Sequence, residues 1–390
     1  MNFNLSEEQD MICDSIARFV AENYGLDQRN AVIAEEHGFS KEHWQNYAEL
    51  GWLSIPFAEE LGGFGGGPVE TMVIMQEFGR GMVAEPYLAT VLLFGGLLQE
   101  CASEELKEEL IPQIIGGELQ GAFAYHERQS RYEITDIKTS AREESGKWVL
   151  DGAKTVVLNG GAADKFVVLA RTSGEQSDEK GLTLFLVDGS AEGLDRTTYR
   201  MTDGKEAANI RLAGVVAEAV LGSVGDAAAQ MAPVIDNARL AICADALGAM
   251  DSLNKQTIEY CKDRKQFGVA IASFQALQHR MVDMFGAYEN TKSLLYRAVC
   301  AADAGDDDAY RSLLALKIMT GRAGRLIGNE AIQMHGGMGV SEELAIGHYV
   351  KRLMIINTLF GDADYHQALF TRQVNASAEE IGEVTSTRAA

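Results

Sequence analysis

Apolar residues recur at helical spacing from the start of the chain. Met11, Ile12, Ile16, Phe19 and Val20 stand three and four apart, and Ser6 with Gln9 ahead of them forms a capping-box pattern. Helical periodicity runs from Leu5 to about Gly117, with breaks expected at Pro56, at the run Leu61-Gly62-Gly63-Phe64-Gly65-Gly66-Gly67-Pro68, and at Pro86 and Pro112. From about Glu118 to Gly222 the pattern changes to short apolar runs. Trp148-Val149-Leu150, Phe166-Val167-Val168-Leu169 and Leu182-Thr183-Leu184-Phe185-Leu186-Val187 alternate with the turn signals Ser145-Gly146, Asp151-Gly152 and Asp188-Gly189, which predicts antiparallel sheet or a small barrel. Beyond Pro233 there is no proline, and Phe274, Leu277, Met281, Met284, Phe285 and Tyr288 return at steps of three and four, which predicts long packed helices. The chain therefore reads as α+β: a helical domain over 1–117, a middle β-barrel domain over 118–225, a helical bundle over 226–380 and a tail over 381–390.

Composition narrows the class only a little. At 390 residues the chain exceeds the size at which a single core stops growing, and its hydrophobic share of 46% is ordinary for a globular protein. A formal charge of -23 argues against nucleic acid, whose phosphates need fields of lysine and arginine. An acidic surface can still surround a local basic pocket for an anionic coenzyme. The N-terminus lacks a basic region followed by an apolar run, so no secretory signal is expected, and no stretch is long and uncharged enough to cross a bilayer. Cys13, Cys101, Cys243, Cys261 and Cys300 show no C-x-x-C spacing; they read as reduced thiols of a cytoplasmic protein, and no metal site is expected.

Candidate chemistry concentrates in two segments. The glycine run at 62–67 is not a phosphate loop, since no Gly-Lys-Ser/Thr follows, and it reads as a flexible connection between helices. Arg264-Lys265-Gln266-Phe267-Gly268, continuing to Phe274-Gln275 and Asp283-Met284, and Gln333-Met334-His335-Gly336-Gly337-Met338-Gly339 form a more specific pair. A dinucleotide carries a pyrophosphate, which a guanidinium such as Arg264 grips by two hydrogen bonds and which a side-chain-free bend can approach closely.

With these two segments, with Pro56 and Glu59-Glu60-Leu61-Gly62-Gly63-Phe64-Gly65, with Gln76-Glu77-Phe78-Gly79-Arg80, and with Asp151-Gly152-Ala153-Lys154 leading to Asn159-Gly160 and Ala163-Asp164, the chain resembles the acyl-CoA dehydrogenase family over nearly its full length. It is most similar to bacterial members such as small subunits of pimeloyl-CoA dehydrogenase. The resemblance implies a C-terminal four-helix bundle, a role in fatty acid metabolism, FAD bound between the middle domain and the C-terminal helices, and a neighbouring subunit that completes the site. It places Arg264, Phe267 and Gln275 on the neighbour's cofactor, and Gln333, Gly336 and Gly337 along its adenosine and pyrophosphate end. The implied reaction is dehydrogenation of an acyl-CoA thioester to a trans-2-enoyl-CoA, with electron-transfer flavoprotein as acceptor and a homotetramer or heterotetramer as assembly.

The chain also departs from the family. Members usually carry a glutamate base before a glycine that aligns with Gly361, and Phe360 stands there; the other usual position, before the arginine matching the substrate-binding Arg239, is Ala238. Asp362 is the candidate base among the nearby carboxylates Asp236, Asp362 and Asp364, although an aspartate in such a place is commonly a helix N-cap. The middle-domain segment that usually contacts flavin reads His126-Glu127-Arg128-Gln129-Ser130-Arg131-Tyr132, which leaves His126 as the candidate beside the cofactor. The family's tryptophan and threonine at the flavin ring fall on Val156 and Leu158. These losses raise a second expectation, a base-lacking subunit of a mixed assembly acting on dicarboxylyl or steroid side-chain thioesters. An FMN monooxygenase and a non-catalytic scaffold with the same fold are the remaining alternatives.

Overall fold

The computed structural model describes residues 5–387, with side chains through residue 375. The N-terminal segment forms α1 (Glu7–Asn23), α2 (Leu26–Ala34), α3 (Lys41–Glu49) and α4 (Pro68–Gly81). A π-helical stretch (Tyr87–Gly95) then leads into α5 (Gly96–Cys101) and α6 (Glu104–Ile115). The capping box forms: Ser6 Oγ accepts from the Gln9 N–H at 3.2 Å and Gln9 Oε1 from the Ser6 N–H at 2.9 Å. Pro112 does not end its helix. It removes the hydrogen bond to the carbonyl four residues earlier, but only three residues remain, and burial of Leu110, Ile111 and Ile114 holds them helical.

The glycine run is not a loose connection. Its amides donate to the preceding turn: Gly63 to the Ala58 carbonyl, Phe64 to Ser54, Gly65 to Phe57 and Gly66 to Ile55, at 2.7–3.2 Å. A Cβ on Gly63 would lie 2.0 Å from the Phe57 carbonyl oxygen, so the absent side chain is what allows two backbone segments to touch.

The middle block is an eight-stranded sheet: β1 (Gly121–Ala124), β2 (Ser140–Glu144), β3 (Lys147–Leu158), β4 (Lys165–Arg171), β5 (Leu182–Asp188), β6 (Leu194–Arg200), β7 (Glu206–Val216) and β8 (Ala219–Leu221). Strand order is β6-β7-β3-β2-β4-β5-β8, with β1 parallel to β4 and most other pairings antiparallel; β6 and β8 remain as edges. Leu150, Val157, Phe166, Val168, Phe185, Val187 and Ile210 fill its core. At the end of β4 the buried Arg171 guanidinium donates to six carbonyls, those of Thr135, Ile137, Ser173, Gln176, Asp178 and Lys180, and so gathers two loops without an acidic partner.

Among the described residues the C-terminal block is helical: α7 (Ala227–Asp263), α8 (Gln275–Asp303), α9 (Ala309–His335), α10 (Ala345–Thr358) and α11 (Ala363–Thr387). The two-residue strands β9 (Lys265–Gln266) and β10 (Val269–Ala270) form a hairpin between α7 and α8. Helix α7 begins before Pro233 and α11 runs into the expected tail. The chain divides into two compact units, residues 23–71 with 83–238, and residues 1–22 and 72–82 with 239–390. Within the second unit α4 crosses α7 at glycines. A Cβ on Gly79 would lie 1.9 Å from the Asp245 carbonyl oxygen, and one on Gly248 1.9 Å from that of Gln76. Beside the crossing Arg80 pairs with Glu77 and Asp251, and the buried Arg352 pairs with Asp245. All five cysteines are free thiols, and among the described residues no helix is long and apolar enough to span a membrane.

Within the first unit, Glu85 is buried beneath α3, where its carboxyl accepts from the hydroxyls of Tyr24 and Tyr47 and the Ser40 N–H and meets His43 Nδ1 at 3.3 Å. Burial raises its pKa from the usual 4.5 to about 7, against the Ser40 hydrogen bond. Between those values the folded state holds the proton more tightly than the unfolded one, so stability falls as pH rises from 4.5 to about 7. Glu85→Gln is expected to flatten this slope, a difference that urea unfolding at pH 5 and pH 8 measures directly.

Candidate functional site

The ends of α7 and α9 lie side by side. The Tyr260 and His335 rings stack with centroids 4.2 Å apart, the Tyr260 hydroxyl donates to the His335 carbonyl at 3.4 Å, and Cys261 Sγ meets Met334 Sδ at 3.8 Å. Arg264 follows Tyr260 by one helical turn and Gly336 follows His335 directly, so the two motifs emerge from one clamped pair of helix ends. Gly336 leaves α9 at φ +60°, and a Cβ on Gly336 or Gly337 would meet no atom within 4 Å. The bend is open on its outer side.

Arg264 and Gln275 are exposed, as are Gln333, Gly336 and Gly337. Among the described residues the Arg264 guanidinium makes no hydrogen bond or ion pair, and the side-chain amides of Gln275 and Gln333 make none either. Phe267 sits at the tip of the β9–β10 hairpin at φ +53°, 94% exposed, with its ring edge-on to Phe274 at 6.3 Å. Leaving an aromatic ring bare in a strained turn forgoes roughly 1.5–3 kcal/mol of burial, a cost recovered when another surface covers it. This set matches the donor chemistry of a dinucleotide site: a guanidinium without a partner, two free amides, an uncovered ring and an open glycine bend.

A second cluster surrounds the turn between α10 and α11. Phe360 is 8% exposed at φ +56°, and Gly361 follows at φ +108°. Asp362 is half-buried; its Oδ1 accepts from the Tyr365 N–H at 2.9 Å, which makes it the N-cap of α11. Asp364, one residue inside that helix, is exposed. Ala238 is buried on α7, and neither Asp236 nor Arg239 is fully exposed. Lys317, which the reading of the sequence passed over, is fully buried on α9. Its Nζ donates to the carbonyls of Ile356 and Asn357 at 3.0 Å and of Gly361 at 2.8 Å. Burial pulls its pKa down to about 8, and the ammonium remains the majority form at neutral pH, as three carbonyl acceptors require. His366, also buried, is lowered to about 3, first by burial and then by the Lys317 and Arg239 charges; its Nε2 therefore carries the proton donated to the Phe360 carbonyl at 3.0 Å. A lysine inside Leu313-Leu314-Ala315-Leu316-Lys317-Ile318 was the signal available: a cation in an apolar stripe must find acceptors.

In the sheet, His126 has both ring nitrogens engaged, Nδ1 with Thr155 Oγ1 at 3.0 Å and Nε2 with the Arg131 carbonyl at 2.7 Å. Burial lowers its pKa, so it is a neutral imidazole donating through Nε2. The Thr155 N–H donates to the His126 carbonyl at 2.8 Å, and a register shift in β3 between Lys154 and Val157 leaves Val156 exposed at φ +54°. Thus the histidine fixes a bulge at Val156. Behind it the buried Lys154 donates to Glu127 at 2.7 Å, and Glu127 also accepts from the amides of Lys138 and Thr139 and from Gln129. Burial would raise the Glu127 pKa, but the Lys154 charge and these hydrogen bonds hold it at about 2.

Three family models match the chain in order: acyl-CoA dehydrogenase N-terminal domain over residues 6–118, middle domain over 122–215 and C-terminal domain over 225–374. The chain belongs to the acyl-CoA dehydrogenase family, oxidoreductases that act on acyl-CoA. Among its relatives, an acryloyl-CoA reductase (NADH) of Anaerotignum propionicum is 28% identical, with 96% of each chain covered. Among solved structures, the Tcur3481-Tcur3483 steroid ACAD is 27% identical at a TM-score of 0.86, with 96% of this chain and 99% of that one covered. A chain from a structure of the electron transferring flavoprotein of Acidaminococcus fermentans is 25% identical at a TM-score of 0.87, with the same coverage.

Lys154→Met strands a carboxylate in the sheet interior, so thermal and urea unfolding are expected to show a loss of about 3–5 kcal/mol. The double variant Lys154→Met/Glu127→Leu is expected to recover much of that loss, since the charge itself is then gone.

Proposed function

We propose that this chain is an FAD-binding subunit that converts an acyl-CoA to the trans-2-enoyl-CoA, passes the electrons to an electron-transfer flavoprotein, and works as a homotetramer or as a heterotetramer with a related subunit. The carrying observation is the clamped end of α7 and α9, where the free guanidinium of Arg264 and the open bend at Gly336 and Gly337 emerge together. Arg264 would hold the diphosphate by paired N–H donors. Gln333, Gly336 and Gly337 would follow its adenosine and pyrophosphate end, and Phe267 from the hairpin and Gln275 from the start of α8 would reach it as well. When bound, FAD supplies the acceptor for the β hydrogen, taken as hydride. His126 contributes indirectly, by fixing the bulge that carries Val156.

The chain must also take the α proton, which the thioester acidifies, and here its residues are unusual. Phe360 cannot act as a base, Ala238 cannot, and Asp362 already accepts the Tyr365 N–H as a helix cap. Asp362 is the candidate base of a self-sufficient enzyme. The burial of Phe360 and Ala238 favours a second reading, in which a related subunit supplies the carboxylate. The likeness to the Tcur3481-Tcur3483 steroid ACAD supports it, as does the resemblance to pimeloyl-CoA dehydrogenase small subunits. Arg239 is the candidate contact to substrate in both readings.

A visible spectrum of the protein purified alone and again after co-expression with a related subunit separates these readings. Flavin colour bleached by acyl-CoA in the lone chain identifies a complete enzyme, bleaching confined to the co-expressed pair identifies a half-site subunit, and no flavin in either preparation overturns the reading. Arg264→Ala is expected to lower flavin affinity by about tenfold to a hundredfold, the worth of a charge-assisted hydrogen bond. In the half-site case Phe360→Glu is expected to raise turnover of the lone chain by roughly 10²–10⁴, the usual contribution of a positioned general base.

A further inference from the structure

The three carbonyls that Lys317 satisfies are not an arbitrary set. Ile356 and Asn357 belong to the last turn of α10, where helix carbonyls lack intrahelical partners and the helix dipole is negative; Gly361 belongs to the turn that follows. One ammonium has three protons, and each is used. The same turn is fastened twice more, by His366 Nε2 on the Phe360 carbonyl and by the Tyr365 N–H on Asp362 Oδ1. Its conformation needs such fastening. Phe360 is a bulky residue at positive φ, which persists only where the surroundings over-determine it. Gly361 has no room for a side chain, because a Cβ there would lie 2.6 Å from Tyr365 Cδ1 and 2.7 Å from His366 Nε2.

We propose that Lys317 is a positioning residue: by clasping the end of α10 to Gly361 it fixes the backbone of the Phe360–Asp362 turn, and with it the direction in which the side chain at 360 leaves the chain. The inference rests on the acyl-CoA dehydrogenase reading, in which position 360 is where the family's proton-accepting carboxylate stands. It says that this chain keeps the mount for that carboxylate although it carries phenylalanine on it. A carboxylate installed at 360 is then delivered in working geometry only while the clasp is intact.

The test uses the full-length protein in whichever subunit composition carries flavin, with Phe360→Glu, Lys317→Met and the double variant. Hydrogen exchange is followed at the amides of 358–366, and kcat and KM for an acyl-CoA are measured beside flavin content. Adding Lys317→Met to Phe360→Glu is expected to lower kcat by about a hundredfold, the scale of a misplacement near 1 Å. KM and flavin content are expected to hold within about threefold, since the substrate and cofactor contacts lie elsewhere. A double variant that keeps the kcat of Phe360→Glu within threefold overturns the proposal, as does a parallel fall in flavin content and kcat, the mark of general unfolding. If Phe360→Glu alone gains nothing, the assignment of the base position fails, and the clasp is judged by exchange. Lys317→Met should then speed exchange at 358–366 by about tenfold or more while the sheet amides hold, a local opening; unchanged exchange at 358–366 refutes it. Should the methionine variant not fold, Lys317→Gln, which keeps two N–H donors, is expected to give the same changes at smaller size.

Discussion

A helix that ends inside a protein leaves carbonyl groups that water cannot reach, and each must find a donor or cost folding free energy. At the end of α10 the donors come from the side of another helix. Lys317 of α9 reaches across to Ile356, Asn357 and Gly361, and its own burial is tolerable only because all three of its protons are taken. Helices α9, α10 and α11 are joined at this point, and the turn between the last two inherits a fixed shape. Close packing is met elsewhere by other means: Gly79 and Gly248 admit α4 to α7, and Arg171 gathers six loop carbonyls at the end of β4.

The surface at the α7 and α9 ends has a different character. Arg264, Gln275 and Gln333 present polar groups with no partner among the described residues, Phe267 presents a bare ring, and the bend at Gly336 presents backbone. The Tyr260–His335 stack joins the helix ends from which they emerge, and so frames them.

The departures from the family gain meaning beside this frame. The turn that carries Phe360 is closely held, with a positive φ at Phe360, a crowded Gly361 and the Lys317 clasp. In the sheet, His126 is tied at both nitrogens and holds the bulge at Val156. Both places hold a bulky residue at positive φ in a backbone fixed by a neighbouring histidine.

The order of helical, sheet and helical blocks was legible in periodicity, because burial of one face imposes 3.6 on a helix and 2 on a strand. The capping box at Ser6 was legible too, since it depends on local chemistry. Tertiary packing decided the rest. Pro112 stayed helical because its neighbours are buried, and the glycine run became an ordered contact because Phe57 needed a surface without side chains. Asp362 became a cap because α11 starts beside it, and a lysine buried in an apolar stripe became a clasp because three carbonyls 39, 40 and 44 residues away converge on it. Residue type and spacing determine which groups seek partners; only the folded chain determines which partners they meet, because those contacts join residues far apart in sequence.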